Sequence, residues 1–463
     1  MLKLEDLSLS YHENEVFHHV NLQANPGEVV VITGLSGCGK SSLLKIINGV
    51  IFESTDATVK GKVCYLEHDL LKENMATKSE YLSTVFQNPK TQFYCINSTD
   101  ELAFGLENRA VEREKIIKTI DTYTSLLKTK DLLDKDIFSL SGGEKQLLAI
   151  TAVTCLDNDI YLFDEPSASL DRSAIHRFVE VIKMLKKAGK IILIAEHRLY
   201  YLKDLLDRVA VIDDGSSYVY SREEFLHSFD RLSSKHYLRT IHEIEKNELK
   251  DVKQIQLLSD FSVQNVKEEM ADLLCSCYDV KFDQPILHFS LGFEPGVYFI
   301  IGQNGVGKST FVKTLCQLMK TKSKSFYLKE KIRKSYDFIS MVMQDVNYQI
   351  YTESCFEELS VISNDEDLIF DSLHSVHLLD KKDVHPQTLS GGEKQRLLLA
   401  KVKVLTKPIV VLDEPTSGLD RLQMKRMTDF LEEMKAAGKV VLVITHDYEL
   451  IQSYDGHVLE FIR

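Results

Sequence analysis

The chain has no tryptophan, eight prolines and eight cysteines in 463 residues. So few cysteines do not make a disulfide scaffold. They include one Cys-x-Cys, Cys275 and Cys277, and no Cys-x-x-Cys. Reduced thiols are therefore expected rather than a zinc cluster, which needs four ligands. Also missing is any apolar run near the roughly 18 residues of a membrane-spanning helix. Runs such as Val29–Ile32 and Val440–Ile444 are strand-sized. The opening residues Met1–Asp6 lack the apolar core of a secretion signal. Positive charge is in deficit, with 56 Lys and Arg against 69 Asp and Glu and a net charge of -13. A protein that grips nucleic-acid phosphates normally carries a basic face, so nucleic acid is not an expected partner. What is present is ordinary globular composition, 44% apolar and 27% charged. At about 150 residues per domain, two or three domains are expected, in a soluble cytosolic protein.

The chain contains itself twice. Gly34-Leu-Ser-Gly-Cys-Gly-Lys-Ser41 recurs as Gly302-Gln-Asn-Gly-Val-Gly-Lys-Ser309. Leu140-Ser-Gly-Gly-Glu-Lys-Gln146 recurs as Leu389-Ser-Gly-Gly-Glu-Lys-Gln395, Phe163-Asp-Glu-Pro166 as Leu412-Asp-Glu-Pro415, and His197 as His446. Ser141 to Ser390, Glu165 to Glu414 and His197 to His446 are each 249 residues apart, whereas Lys40 to Lys308 is 268. The second copy is thus trimmed before its Ser-Gly-Gly motif. Short apolar runs at Val29–Ile32, Ile160–Phe163 and Ile191–Ala195, matched by Tyr298–Ile301, Ile409–Leu412 and Val440–Ile444, alternate with helical patterns. That pattern predicts a mostly parallel sheet covered on both faces. The domains are expected at 1–220 and 275–463. Between them, 221–274 reads as a solvated helical connector, because Arg222–Lys253 carries seven basic and seven acidic residues and no Pro or Gly.

Each glycine-rich motif follows a strand and opens a helix. In such a loop, backbone N–H groups point at phosphate oxygens and the helix adds its positive end. Gly34, Ser36, Gly37, Cys38, Gly39, Lys40, Ser41 and Ser42 are the candidates in the first copy, and Gly302, Asn304, Gly305, Val306, Gly307, Lys308, Ser309 and Thr310 in the second. Lys40 and Lys308 would meet the β- and γ-phosphates, and Ser41 and Ser309 would ligate Mg²⁺. Asp164 and Asp413, each ending a strand at the sheet's carboxyl edge, would complete the Mg²⁺ shell. Glu165 and Glu414 would orient and activate a water. His197 and His446, each 32 residues further on, would contact the γ-phosphate. Ser141-Gly142-Gly143 and Ser390-Gly391-Gly392 look like Ser-capped helix starts, a second phosphate-binding feature.

Phosphate loop, Gln, Leu-Ser-Gly-Gly, Asp-Glu and His in this order resemble the ATP-binding cassette (ABC) ATPases, over nearly the whole chain outside the connector. The resemblance implies an α/β fold: two ABC-type P-loop NTPase domains, each a mostly parallel sheet with flanking helices and a helical subdomain. It implies ATP and Mg²⁺ as cofactors, with Gln87 and Gln344 as catalytic and metal-shell residues. It implies adenine stacking on Tyr11 and Tyr278, and matches Asp171 and Asp420 to the family's Asp after the strand acids. Two cassettes of one chain would pair head to tail. One ATP would lie between Lys40, Ser41, Gln87, Asp164, Glu165, His197 and Ser390–Gly392. The other would lie between Lys308, Ser309, Gln344, Asp413, Glu414, His446 and Ser141–Gly143. Two hydrolysing sites are expected, with one departure, Leu147 where the second copy has Arg396.

The segments Val85–Phe93 and Asp100–Asn108, with Val342–Ile350 and Glu357–Leu359, look like the ATPases of energy-coupling-factor importers. That resemblance implies an integral membrane coupling subunit, a small membrane substrate-capture subunit, and uptake of a vitamin or transition-metal ion. The chain would sit in the cytoplasm on the inner face of the membrane. Gln92 and Gln349 would lie near the coupling surface. The alternatives are a tandem ABC ATPase acting on ribosomes, against which the balanced connector and net acidity argue, and a tandem sugar-importer ATPase, in which one copy is often degenerate.

Overall fold

The computed structural model describes every residue except 13, 55, 258–272, 279–288, 320–322, 329, 332–333 and 463. It divides into two compact units, one of Met1–Glu243 with Asp420–Leu422, the other of Ile244–Leu419 with Gln423–Arg463.

In the first unit a six-stranded sheet runs in the order Ser216–Ser221, Arg208–Asp213, Val29–Gly34, Ile191–Ala195, Ile160–Asp164, Leu82–Val85. All neighbours are parallel except the hairpin at the 216–221 edge. Alternate residues of one strand enter different cores. Val29 and Val31 pack with Phe178 and Val181, whereas Val30 and Ile32 pack with Leu4, Phe17 and Leu43. Burial on both faces is why these strands read as unbroken apolar runs rather than alternating ones.

The second unit repeats the arrangement, with strands Gly296–Ile301, Val440–Ile444, Ile409–Asp413 and Ile339–Val342 all parallel. Its helical part is shorter. Ser98–Asn108 and Arg113–Leu126 have 11 and 14 residues, and Cys355–Ser360 and Glu366–Ser375 have 6 and 10. Each unit also carries a four-stranded antiparallel sheet, in the first unit built on Leu2–Tyr11 between Asn14–Ala24 and Ala57–Tyr65. The expected single sheet per copy omitted it, although Leu2, Leu4, Leu7 and Leu9, all buried, carry a near-alternating signal.

The stretch expected as a solvated helical connector is built differently. Arg222–His227 and Phe229–His236 are short helices, and Phe225, Phe229 and Leu232 are buried in the first unit's core. Phe229 and Leu232 lie at i and i+3 on one helix and Phe225 on the helix before it, a buried apolar set that the balanced charges around it obscured. Further on, Val252–Gln256 is a strand. It pairs in parallel with His457–Ile462, Val252 opposite Val458, and forms the edge of the second unit's sheet. Ile255 and Leu257 are fully buried there.

Candidate active sites

In the first unit the strand Val29–Gly34 delivers the chain into a loop that wraps the start of helix Lys40–Asn48. Gly34 has φ +145°, and a Cβ there would lie 2.2 Å from the Ile212 carbonyl oxygen. Gly302 repeats this with φ +144° and a Cβ 2.6 Å from the Phe461 carbonyl oxygen. No larger residue fits either turn. Lys40 is buried, and its Nζ donates to the carbonyls of Gly34 (3.2 Å) and Leu35 (2.9 Å). Lys308 does the same with Gly302 (2.7 Å) and Gln303 (3.1 Å). Both ammonium groups therefore lie across the mouth of a loop rich in N–H groups. Tyr11 is beside this helix, its hydroxyl 3.3 Å from Ser42 Oγ. Tyr278 ends a strand, and its side chain lies outside the described residues.

The acids arrive from the neighbouring strands. Ser41 Oγ donates to Asp164 Oδ1 at 2.8 Å, so hydroxyl and carboxylate, both hard oxygen donors suited to Mg²⁺, are side by side. Gln87 Nε2 donates to Glu165 Oε2 at 2.8 Å, and His197 Nε2 lies 3.7 Å from Glu165 Oε1. Glu165 and Glu414 both have positive φ, 44° and 51°. A bulky residue held there in both copies is backbone strain of the kind that collects at functional sites. Burial pushes the Glu165 carboxyl up to about 8, with Asp164 adding to the effect and Lys40 opposing it. Burial also raises Asp164, against the Ser41 hydrogen bond. His197 is held well below its ordinary range by burial and by the charges of Lys40 and Arg239, so its imidazole is neutral.

The second unit assembles the same groups with other bonds. Glu414 lies 3.5 Å from His446 Nε2, and its Oε2 accepts the backbone N–H of His446 at 3.3 Å. Burial raises Asp413 to about 6, opposed by Lys313 and Lys308. Ser309 is exposed at the loop helix, and Gln344 follows the strand Ile339–Val342. In the first unit a buried carboxyl with a raised pKa, a neutral imidazole, a lysine and a cradle of N–H groups thus lie together, a set that can move a proton at an attacking water while holding phosphate charge.

Ser141 and Ser390 cap helices Gly142–Cys155 and Gly391–Leu405 through reciprocal bonds with Glu144 and Glu393. Gln92 and Gln349 are turned inward. Gln92 binds the backbone of Phe86 and Thr84, and Gln349 that of Met343 and Met341. These amides brace the segment after each strand. Beyond them several large apolar side chains are exposed. Tyr94 is 81% exposed and Tyr351 80%, with Ile96, Phe138, Tyr348 and Val361 also exposed. Sequence reasoning missed Glu196, a buried carboxylate next to His197, because the repeat places Thr445 there and so hid it. It also missed Lys401, which reaches Glu358 and the Gln349 carbonyl.

Among the described residues no helix is long and apolar enough to cross a membrane. A family model described as ABC transporter matches residues 17–168 and 287–417. A protein of Treponema denticola named "Putative ABC transporter ATP-binding protein" is 33% identical, over 99% of this chain and 95% of its own length. The Bacillus subtilis protein named "Putative HMP/thiamine import ATP-binding protein YkoD" is 30% identical, over 99% of this chain and 89% of its own. Of solved structures, a ribosome-bound archaeal Pelota and ABCE1 assembly superposes with TM-score 0.64 at 21% identity, over 97% of this chain and 75% of that one. At that identity the likeness speaks of fold alone.

Proposed function

From the premise that this chain belongs to the ABC transporter family, as a tandem ATPase with two cassettes, we propose that it powers an importer of the energy-coupling-factor type. Lys40 and Lys308, with the loop N–H groups, hold the β- and γ-phosphates of two ATP molecules. Ser41, Asp164 and Gln87 hold Mg²⁺ in one cassette, and Ser309, Asp413 and Gln344 in the other. The ion neutralises phosphate charge when bound. Glu165 and Glu414 each orient a water and accept its proton as it attacks the γ-phosphorus and the bond to the ADP oxygen breaks. His197 and His446 donate to the γ-phosphate. Tyr11 and Tyr278 stack on adenine. The capped helix starts at Ser141–Gly143 and Ser390–Gly392 are each a further phosphate-binding feature.

The observation that carries the membrane partner is the exposed apolar set after each Gln: Tyr94, Ile96 and Phe138 in one unit, Tyr348, Tyr351 and Val361 in the other. Apolar side chains grouped on a surface favour a protein partner, here an integral membrane coupling subunit joined by a small substrate-capture subunit. The import of a vitamin or a transition-metal ion follows from the same reading, and the name of the Bacillus subtilis relative supports the vitamin class. The test is a mild-detergent pull-down of the tagged chain from its source cells, read by mass spectrometry. One polytopic membrane protein and one small hydrophobic protein are expected. Ribosomal proteins without a membrane partner would overturn the importer reading.

A further inference from the structure

The two units differ where the strand of the histidine ends. In the first unit Glu196 leaves the strand Ile191–Ala195 with its carboxylate buried, 3% exposed. Oε1 accepts the backbone N–H of His197 (2.8 Å) and of Arg198 (3.0 Å). Oε2 accepts the Tyr201 hydroxyl (2.8 Å) and, more weakly, the Ser167 N–H (3.4 Å). Arg198 Nη1 returns a bond to the Ser167 carbonyl at 3.1 Å. One carboxylate thus ties the loop that carries His197 to the loop that follows Glu165. Each hydrogen bond to a charged group is among the stronger kinds, and burial strengthens it further.

The second unit has none of these four side chains. At the positions 249 residues on, Ser167, Glu196, Arg198 and Tyr201 become Thr416, Thr445, Asp447 and Leu450. The two loops meet through hydroxyls, Thr416 Oγ1 and Thr445 Oγ1, 3.5 Å apart. The N–H of His446, whose counterpart Glu196 takes in the first unit, goes to Glu414 itself. In the first unit Glu196 takes both backbone N–H groups and Glu165 takes neither, whereas in the second Thr445 Oγ1 takes the N–H of Asp447 (3.0 Å) and that of His446 falls to Glu414.

We infer that Glu196 is a positioning residue of the first ATP site: it fixes the His197 loop against the Glu165 loop and frees the Glu165 carboxylate from bracing that loop. The inference rests on the reading of Glu165 as the base. Displacing a reacting group by about 1 Å can cost on the order of 100-fold in rate, so a loosened brace lowers turnover more than it lowers binding.

The experiment uses the full chain carrying Glu414→Gln, so that turnover reports the first site. ATP turnover and KM are measured with and without Glu196→Thr, which installs the residue used by the other copy. The expected result is a fall in kcat of about tenfold with KM changed by less than about twofold, the mark of an interaction used in the transition state rather than in binding. Glu196→Gln keeps an acceptor oxygen for the two N–H groups and should restore kcat to within about threefold. It also serves where the threonine variant unfolds, since a shift in kcat with unchanged KM must then appear on comparing Glu196→Gln with Glu196→Ala. Unchanged kcat in all Glu196 variants would overturn the inference while leaving the base assignment standing. Unchanged kcat in Glu165→Gln would instead remove the base assignment on which it rests.

Discussion

At the scale of single residues, each carboxylate's surroundings decide what it can do. Glu165 is held high by burial, with a nearby acid adding and a lysine opposing. Between its ordinary 4.5 and about 8 the folded chain keeps a proton that the unfolded chain has released. Stability of the nucleotide-free protein from this group therefore falls as pH rises through that window. Glu165→Gln removes the penalty. Its gain in Tm should be larger at pH 8 than at pH 5 by calorimetry, and an equal gain at both would contradict the burial argument. The double variant Glu165→Gln with Glu414→Gln should bind ATP yet turn it over at least about 100-fold more slowly, as loss of a positioned base requires. Turnover near the wild-type rate would remove both carboxylates from the chemistry. Cys38 lies in the phosphate loop with its Sγ 3.8 Å from Lys40 Nζ, and burial raises its thiol despite that cation. A thiol reagent at pH 7.5 should modify it slowly, faster above pH 9, and not at all with ATP bound.

At the scale of elements, the helices Gly142–Cys155 and Gly391–Leu405 owe their starts to caps. Ser141→Ala should cost about 1 kcal/mol through the lost cap, measurable by denaturant unfolding of the full chain. The brace behind the segment that follows Gln344 is particular to the second copy. Lys401 Nζ donates to Glu358 Oε1 at 2.5 Å and to the Gln349 carbonyl at 2.9 Å, where the first copy has Ala152. Burial alone would raise Glu358, but Lys401, the backbone of Tyr351 and Thr352 hold it below its ordinary range. Its contribution to stability is thus present at neutral pH and lost as pH falls. Lys401→Met should cost about 3 kcal/mol, because it strands a buried carboxylate. A cost below about 1 kcal/mol would make the pair a surface contact.

At the scale of the whole molecule, the stretch between the repeats belongs to the units it joins. Its first part fills the first unit's core with Phe225, Phe229 and Leu232, and its strand Val252–Gln256 completes the second unit's sheet. A fragment beginning at Ile244 should therefore be more soluble than one beginning at Cys275. The shorter piece bares the edge strand His457–Ile462, and an open strand edge invites aggregation. Light scattering of the two fragments at equal concentration checks this, and equal scattering would deny the strand its role.

By itself the sequence determined the duplicated α/β plan, the two phosphate loops and the order of site residues. Those features are local. Glycines, a lysine and a serine at fixed spacing dictate a turn and a helix start, and strands buried on both faces announce themselves as apolar runs. Only the tertiary structure decided which strands pair across long separations, because such pairing depends on partners that no local window contains. It decided that Leu2–Tyr11 joins Ala57–Tyr65, and that the charged linker supplies an edge strand. It turned Gln92 and Gln349 inward. It also brought Glu196 to four donors. The sequence shows that acid only as a neighbour of His197; its function comes from the donors that folding brings to it.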